Sequence, residues 1–180
     1  ANAVNTIEMD VRASIDGSTK IEADQLQLKA QDKSDIDATV GTASLAGGFA
    51  GIAGVAASVS VSLAKNEISN RVQAYVANAT GVVVGAGGVS MEAIEDATID
   101  ATVVAASMAA SGGIVGVSFS GAGADAVNMI DTVTKAYISG SSIAASGDVL
   151  VKADNTASIE AVVASASSAV VTDSVRTCLP

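Results

Sequence analysis

Leu26-Gln-Leu28-Lys-Ala30-Gln-Asp32-Lys-Ser34-Asp-Ile36-Asp-Ala38-Thr-Val40 sets an apolar or small residue at nearly every second position, with polar residues between. The pattern returns as Val89, Met91, Ala93, Glu95, Ala97, Ile99, Ala101 and Val103. It returns again as Val149, Val151, Ala153, Asn155, Ala157, Ile159, Ala161 and Val163. The copies begin at residues 26, 89 and 149, so they lie 63 and then 60 residues apart. A period of two describes a strand whose side chains point alternately to opposite faces. Its recurrence at a fixed longer period describes stacked β-units, each burying a face against its neighbours.

A second block repeats upstream of the first. Asn5-Thr-Ile7-Glu-Met9-Asp-Val11-Arg-Ala13-Ser-Ile15 aligns with Asn66-Glu-Ile68-Ser-Asn70-Arg-Val72-Gln-Ala74-Tyr-Val76 and with Asn128-Met-Ile130-Asp-Thr132-Val-Thr134-Lys-Ala136-Tyr-Ile138. Alternate members are mostly apolar and the others charged or polar, which predicts one buried and one wet face. The leading Asn of each block is read as a turn residue, because its side chain satisfies nearby backbone groups. Between the blocks lie connectors, Asp16-Gly-Ser-Thr, Asn78-Ala-Thr-Gly81 and Ser139-Gly-Ser-Ser142, in which Gly or Asn supplies a positive φ. The polar column Asp32, Glu95, Asn155 is read as a bend, since a carboxylate left inside the stack without partners is costly.

Each unit closes with a Gly- and Ala-rich stretch. The first copy is Gly47-Gly-Phe-Ala-Gly51-Ile-Ala-Gly54 leading into Ala57-Ser-Val59-Ser-Val61-Ser-Leu63, and the second runs from Ser111 to Ser120. Residues 40–64 and 101–124 carry no charge and are long enough for membrane helices. The Ser/Val alternation argues against that, because a helix would scatter the serines around its circumference. The reading is a strand whose Gly and Ala face packs too closely for larger side chains. The third copy stops early, at Val171, as expected of a segment from a longer array. The absence of an initiator Met or leader at the start reads as a mature or excised fragment. The division that follows is one array over residues 1–172, with units of about 5–65, 66–127 and 128–172, and a tail at 173–180.

Composition narrows the functions. Nearly half the residues are hydrophobic, yet there are two Phe, two Tyr and no Trp, so the core is thin and made of Ala, Val and Ile. Nineteen acidic residues against nine basic give a net charge of −10, and the basic residues are scattered. Nucleic-acid binding needs clustered cations, so it is excluded from the expected partners. With no His and one Cys, His-based acid–base chemistry and His/Cys metal sites fall away. No calcium loop, P-loop or dinucleotide fingerprint occurs. The carboxylates Asp35, Asp37 and Asp100 sit on outward positions and read as a wetted face. No enzyme activity, cofactor, catalytic residue or metal ligand is therefore expected.

Two features remain. Tyr75 and Tyr137 occupy the same outward position of successive units, as cross-strand packing or as a ligand-contacting aromatic ladder. Cys178 cannot close an intramolecular disulfide and is a candidate intermolecular link.

The Asn-x-Ile-x-x-x-Val-x-Ala-x-Ile block at 5–15, the Gly-rich run into Ser-Val-Ser-Val at 47–61, and Val-x-Val-x-Ala at 149–153 resemble repeats of giant bacterial secreted and surface proteins. The likeness is to leukotoxin-type and filamentous-haemagglutinin-like repeats, and it extends over nearly all of residues 5–172. Cys178 and the surrounding tail match nothing in it. The resemblance implies a parallel β-helix-like solenoid, an extracellular or bacterial cell-surface location, and a role as a filament body or adhesin stalk. A stacked two-layer sandwich of hairpins is the other architecture considered. The partners expected are copies of the chain or adjoining repeats, or else a glycan or host surface protein, with no membrane span.

Overall fold

A computed structural model describes residues 1–173. It is all-β: β1 (Asn2–Asp16), β2 (Ile21–Phe49), β3 (Ala53–Ala77), β4 (Val82–Gly113), β5 (Val115–Ser139), β6 (Ile143–Ala145), β7 (Val149–Asn155) and β8 (Ser158–Asp173). The strands are long because the alternation that defines them runs unbroken. β4 has 32 residues, about 100 Å of extended chain at ~3.3 Å per residue.

The chain changes sheet after each long strand. One sheet has the order β1-β3-β5, and the other has β2-β4 with β6, β7 and β8 following one another end to end along the free flank of β4. All the pairings are parallel. Consecutive long strands from β1 to β5 thus face each other across the interior and do not pair as hairpins. Within a sheet each residue lies beside its own copy in the next unit: Asn5 beside Asn66, Asn66 beside Asn128, Tyr75 beside Tyr137.

The turns at one end of the strands follow the expected chemistry. Gly17, Asn78 and Gly140, at equivalent positions, have φ of 65°, 53° and 58°. The ladder passes through them, since Gly17 N–H donates to Ala77 O and Asn78 N–H to Ser139 O, each at 3.0 Å. The opposite end is held by close approach. A Cβ on Gly48 would fall 2.1 Å from the Val55 carbonyl oxygen, and one on Gly54 2.5 Å from that of Gly112.

Three apolar clusters line the interior. The largest, nearest the turns, contains Ala30, Val72, Val76, Val82, Val84 and Met91. The next is Ile36, Ala38, Ile68, Ala97 and Ile99, and the last Val40, Ala64 and Val103. Beyond Val40 the alternation keeps its period but inverts its chemistry. Ser58, Ser60, Ser62 and Ser107 point inward and are buried, while Val55, Val59, Val61, Leu45, Phe49 and Phe119 face outward and are exposed. The inner hydroxyls bridge the sheets: Thr42 Oγ1 meets Ser60 Oγ at 2.6 Å, Ser44 Oγ meets Ser58 Oγ at 2.7 Å, and Ser107 Oγ meets Ser120 Oγ at 2.7 Å.

Two expectations are corrected. Asn5, Asn66 and Asn128 are not turn residues; they lie inside β1, β3 and β5. Asp32 and Glu95 do not mark a bend, because both sit mid-strand and point inward. Only in the third unit does the chain break there, between Asn155 and Ser158. Residues 40–64 and 101–124 lie almost wholly in strands, and among the described residues no helix is long and apolar enough to cross a membrane.

The turn geometry gives a direct test. Asn78→Gly should leave stability within about 0.5 kcal/mol, whereas Asn78→Val should cost ~1–2 kcal/mol, because a β-branched side chain resists positive φ. Urea unfolding of the two variants checks this; equal midpoints would contradict it.

Candidate functional site

Among the described residues the buried carboxylates, Asp32 and Glu95, gather in one cluster, and Asn70 is its node. Asn70 projects inward from β3, where its neighbours in the same column are Met9 on β1 and Thr132 on β5. Its Oδ1 accepts the Met9 backbone N–H at 3.0 Å. The two hydrogens of its Nδ2 are shared across the interior among three acceptors, Asp32 Oδ2 at 2.7 Å, Ser34 Oγ at 2.8 Å and Glu95 Oε1 at 3.1 Å. Ser34 Oγ donates in turn to Asp32 Oδ2 at 2.7 Å. One amide therefore ties the first sheet to two strands of the second.

The cluster exists because the parallel register stacks like on like. Asp32 on β2 is the ladder partner of Glu95 on β4, and Glu95 of Asn155 on β7. Two carboxylates side by side on adjacent strands repel each other. The Glu95 carboxyl is pushed above the usual carboxylate range, first by burial and also by the adjoining Asp32, while the Asn70 hydrogen bond opposes the rise. Glu95 Oε2 is buried without a hydrogen-bond partner among the described residues, so no donor stabilises the charged form on that side, and neutralising the carboxyl relieves the repulsion from Asp32. In the third unit Asn155 brings no charge, and its Nδ2 donates to Thr132 Oγ1 at 2.8 Å. Glu95 is fully buried, which confines its proton chemistry to the interior.

A second polar feature runs along the stack. Asn5 Nδ2 donates to Asn66 Oδ1 at 2.8 Å, and Asn66 Nδ2 donates to Asn128 Oδ1 at 2.8 Å. The ladder has a direction. Asn5 presents a carbonyl oxygen at the β1 edge and Asn128 an NH2 group at the β5 edge. Asn5 also lines an open cleft of about 460 Å³ between β1 and β2, with Ile7, Asp35 and Asp37.

The sequence-predicted residues fall as follows. Tyr75 and Tyr137 are brought together on the outer face, with centroids 5.0 Å apart and rings 5° from parallel. Tyr137 also borders a shallow depression of about 460 Å³ with Thr134, Lys135, Ala136 and Ala153. Asp35, Asp37 and Asp100 are exposed on the outer face of the second sheet. Cys178 lies outside the described residues. Among those residues, no group of three or more His, Cys, Asp or Glu is arranged to hold a metal ion.

Sequence reasoning missed Asn70 and Ser34. The signal was present in outline, since Asn70 is a polar residue in an apolar column, as Asp32 and Glu95 are in theirs. Joining those columns requires knowing that β2 and β4 fold back across β3, which one strand's alternation does not encode. No protein-family model, curated protein or solved structure matches the chain.

The sign of the pH dependence follows from Glu95. Its carboxyl keeps a proton in the folded state where the unfolded chain has lost it, so stability falls as pH rises from about 4.3 through the raised value. Glu95→Gln retains the Asn70 bond and turns an amide donor toward Asp32. It should match the native chain near pH 4 and be more stable by ~1–3 kcal/mol at pH 7. Urea midpoints at both pH values check this; a difference that does not grow with pH would refute it.

Proposed function

We propose that the chain is a length of parallel β-solenoid serving as the structural body of an extracellular bacterial fibre or adhesin stalk. Its copies, or adjoining repeats of a longer chain, join end to end through the open sheet edges. The observation that carries this reading is the directed asparagine ladder: an acceptor at the β1 edge and a donor at the β5 edge. A following copy placed with its β1 against β5 continues the ladder and the parallel backbone register together. Such a contact is heterologous, and it generates an open series when its rotation does not close. Outward acidic residues, with a net charge of −10, discourage the wet faces of neighbouring rods from sticking.

The test exploits the donor. Asn128→Asp still accepts from Asn66 but opposes an oxygen to the Asn5 carbonyl of the next copy. It should weaken end-to-end association roughly tenfold to a hundredfold, an effect of ~1.4–2.7 kcal/mol, and leave the unfolding midpoint nearly unchanged. Sedimentation velocity across a concentration series reads this. A native chain that stays monomeric at high micromolar concentration, or a variant that assembles equally well, would count against the reading.

A second reading, a surface adhesin module for a glycan or host protein, draws on the stacked Tyr75–Tyr137 pair beside the Lys135-lined depression. Aromatic faces of this kind suit sugar rings. If it holds, Tyr137→Ala abolishes glycan-array binding that the native chain displays; an array blank for both proteins sinks it.

A further inference from the structure

In the charge-free half of the molecule the second sheet exposes a broad apolar outer face. Its outward rungs, read across β2, β4 and β8, are Gly41/Val104/Ala164, Ala43/Ala106/Ala166, Leu45/Met108/Ser168 and Gly47/Ala110/Val170. Thr39/Thr102/Val162 and Phe49/Gly112/Thr172 flank them. Leu45 and Phe49 are 79% and 77% exposed. A Cβ on Gly41 would meet nothing within 4 Å, and its φ is not in the left-handed region. This glycine is thus not required by the chain's own packing or backbone, and its missing side chain leaves room for another surface to approach closely there.

We infer that this face pairs with the same face of a second copy, related by a two-fold axis perpendicular to the strands and passing between the Ala43 and Leu45 rungs. That operation sets Leu45 on the partner copy's position 43, Met108 on 106, Val104 on 110 and Val170 on 164. Each bulky side chain meets alanine, and Gly41 meets glycine at 47. Phe49 falls on the threonine at 39. No two large side chains collide, which is the self-complementarity an isologous contact demands.

Electrostatics select the same orientation. The rung bounding the patch is Asp37/Asp100/Glu160, acidic on all three strands. A two-fold along the strands would lay this rung on its own copy. The perpendicular two-fold carries the two acidic rungs to opposite ends of the contact.

The size sets the strength. Six rungs ~6.8 Å apart on three strands ~4.8 Å apart cover ~500 Å² per copy, or ~1,000 Å² in all, at the lower limit for a specific interface. The pair is therefore a weak dimer, reinforced when longer arrays present the face repeatedly. A lipid surface fits the face less well. Lipid would leave the β2 and β8 edge groups without hydrogen-bond partners, and Gly and Ala contribute little to insertion.

The contact goes beyond end-to-end stacking and is separable from it, because an isologous contact closes at two copies whereas stacking leaves an open series. The experiment is sedimentation velocity of the Asn128→Asp chain from 5 to ~500 μM, with and without Ala43→Leu/Ala106→Leu. The two added leucines make the face more apolar but fill the positions that receive Leu45 and Met108. The expected result is a dimer in the parent and at least a tenfold weaker one in the double variant. A parent that stays monomeric, a double variant that dimerises as tightly or more tightly, or a monomer that instead floats with phosphatidylcholine vesicles would each overturn the inference.

Discussion

The fold rests on one constraint: in a parallel, in-register ladder every side chain must tolerate its own copy ~4.8 Å away. Residues that pair well with themselves satisfy it without help. Alanine on alanine and valine on valine simply pack; Tyr75 stacks on Tyr137. Asparagine is the polar residue that self-pairs best, since its amide holds a donor and an acceptor, and Asn5, Asn66 and Asn128 form one directed chain. Carboxylates fail the test. Where Asp32 lies beside Glu95, the column is tied by Asn70 from the opposite sheet and by Ser34, and burial with the neighbouring Asp32 raises the Glu95 carboxyl above the ordinary carboxylate range.

The same constraint explains which parts of the architecture could be read from the amino-acid order. A residue that stacks on its copy produces a repeat, so strand positions, the parallel relation between units and the positive-φ turn positions at Gly17, Asn78 and Gly140 were all legible. The side of the sheet was not always legible. A period of two states which residues share a face, never which face is inside. For Val72, Ala74 and Val76 hydrophobicity decides it. For Ser58, Ser60 and Ser62 the decision comes from Thr42 and Ser44 across the interior, residues that local reasoning cannot place opposite them. The asparagines were misread for a related reason. As single residues they suit turns, and only as a column do they suit a strand interior. The polar column was misread as a bend because its partner, Asn70, belongs to another sheet.

The inversion at Val40 divides the molecule into two kinds of surface. Toward the turns at 17, 78 and 140, charged residues other than Asp32 and Glu95 face water and valines face inward, and same-strand pairs such as Lys65–Glu67 at 3.2 Å decorate the outside. Such exposed pairs contribute little to stability. Toward the glycine-packed end, hydroxyl groups fill the interior and valine, leucine and phenylalanine face outward. A large exposed apolar exterior of that kind is where association concentrates. The open sheet edges and this apolar face are the surfaces on which the proposed association rests.

The most direct measurement of the like-on-like principle is a column replacement, read by urea unfolding of three proteins: Asn66→Leu, Asn5→Leu/Asn128→Leu, and all three substitutions together. Asn66→Leu alone strands the amides of its two neighbours and should cost ~2 kcal/mol, while a uniform leucine column should return to within ~1 kcal/mol of the native chain. If the costs of the partial replacements simply add in the triple variant, the columns do not act as units and the account is wrong.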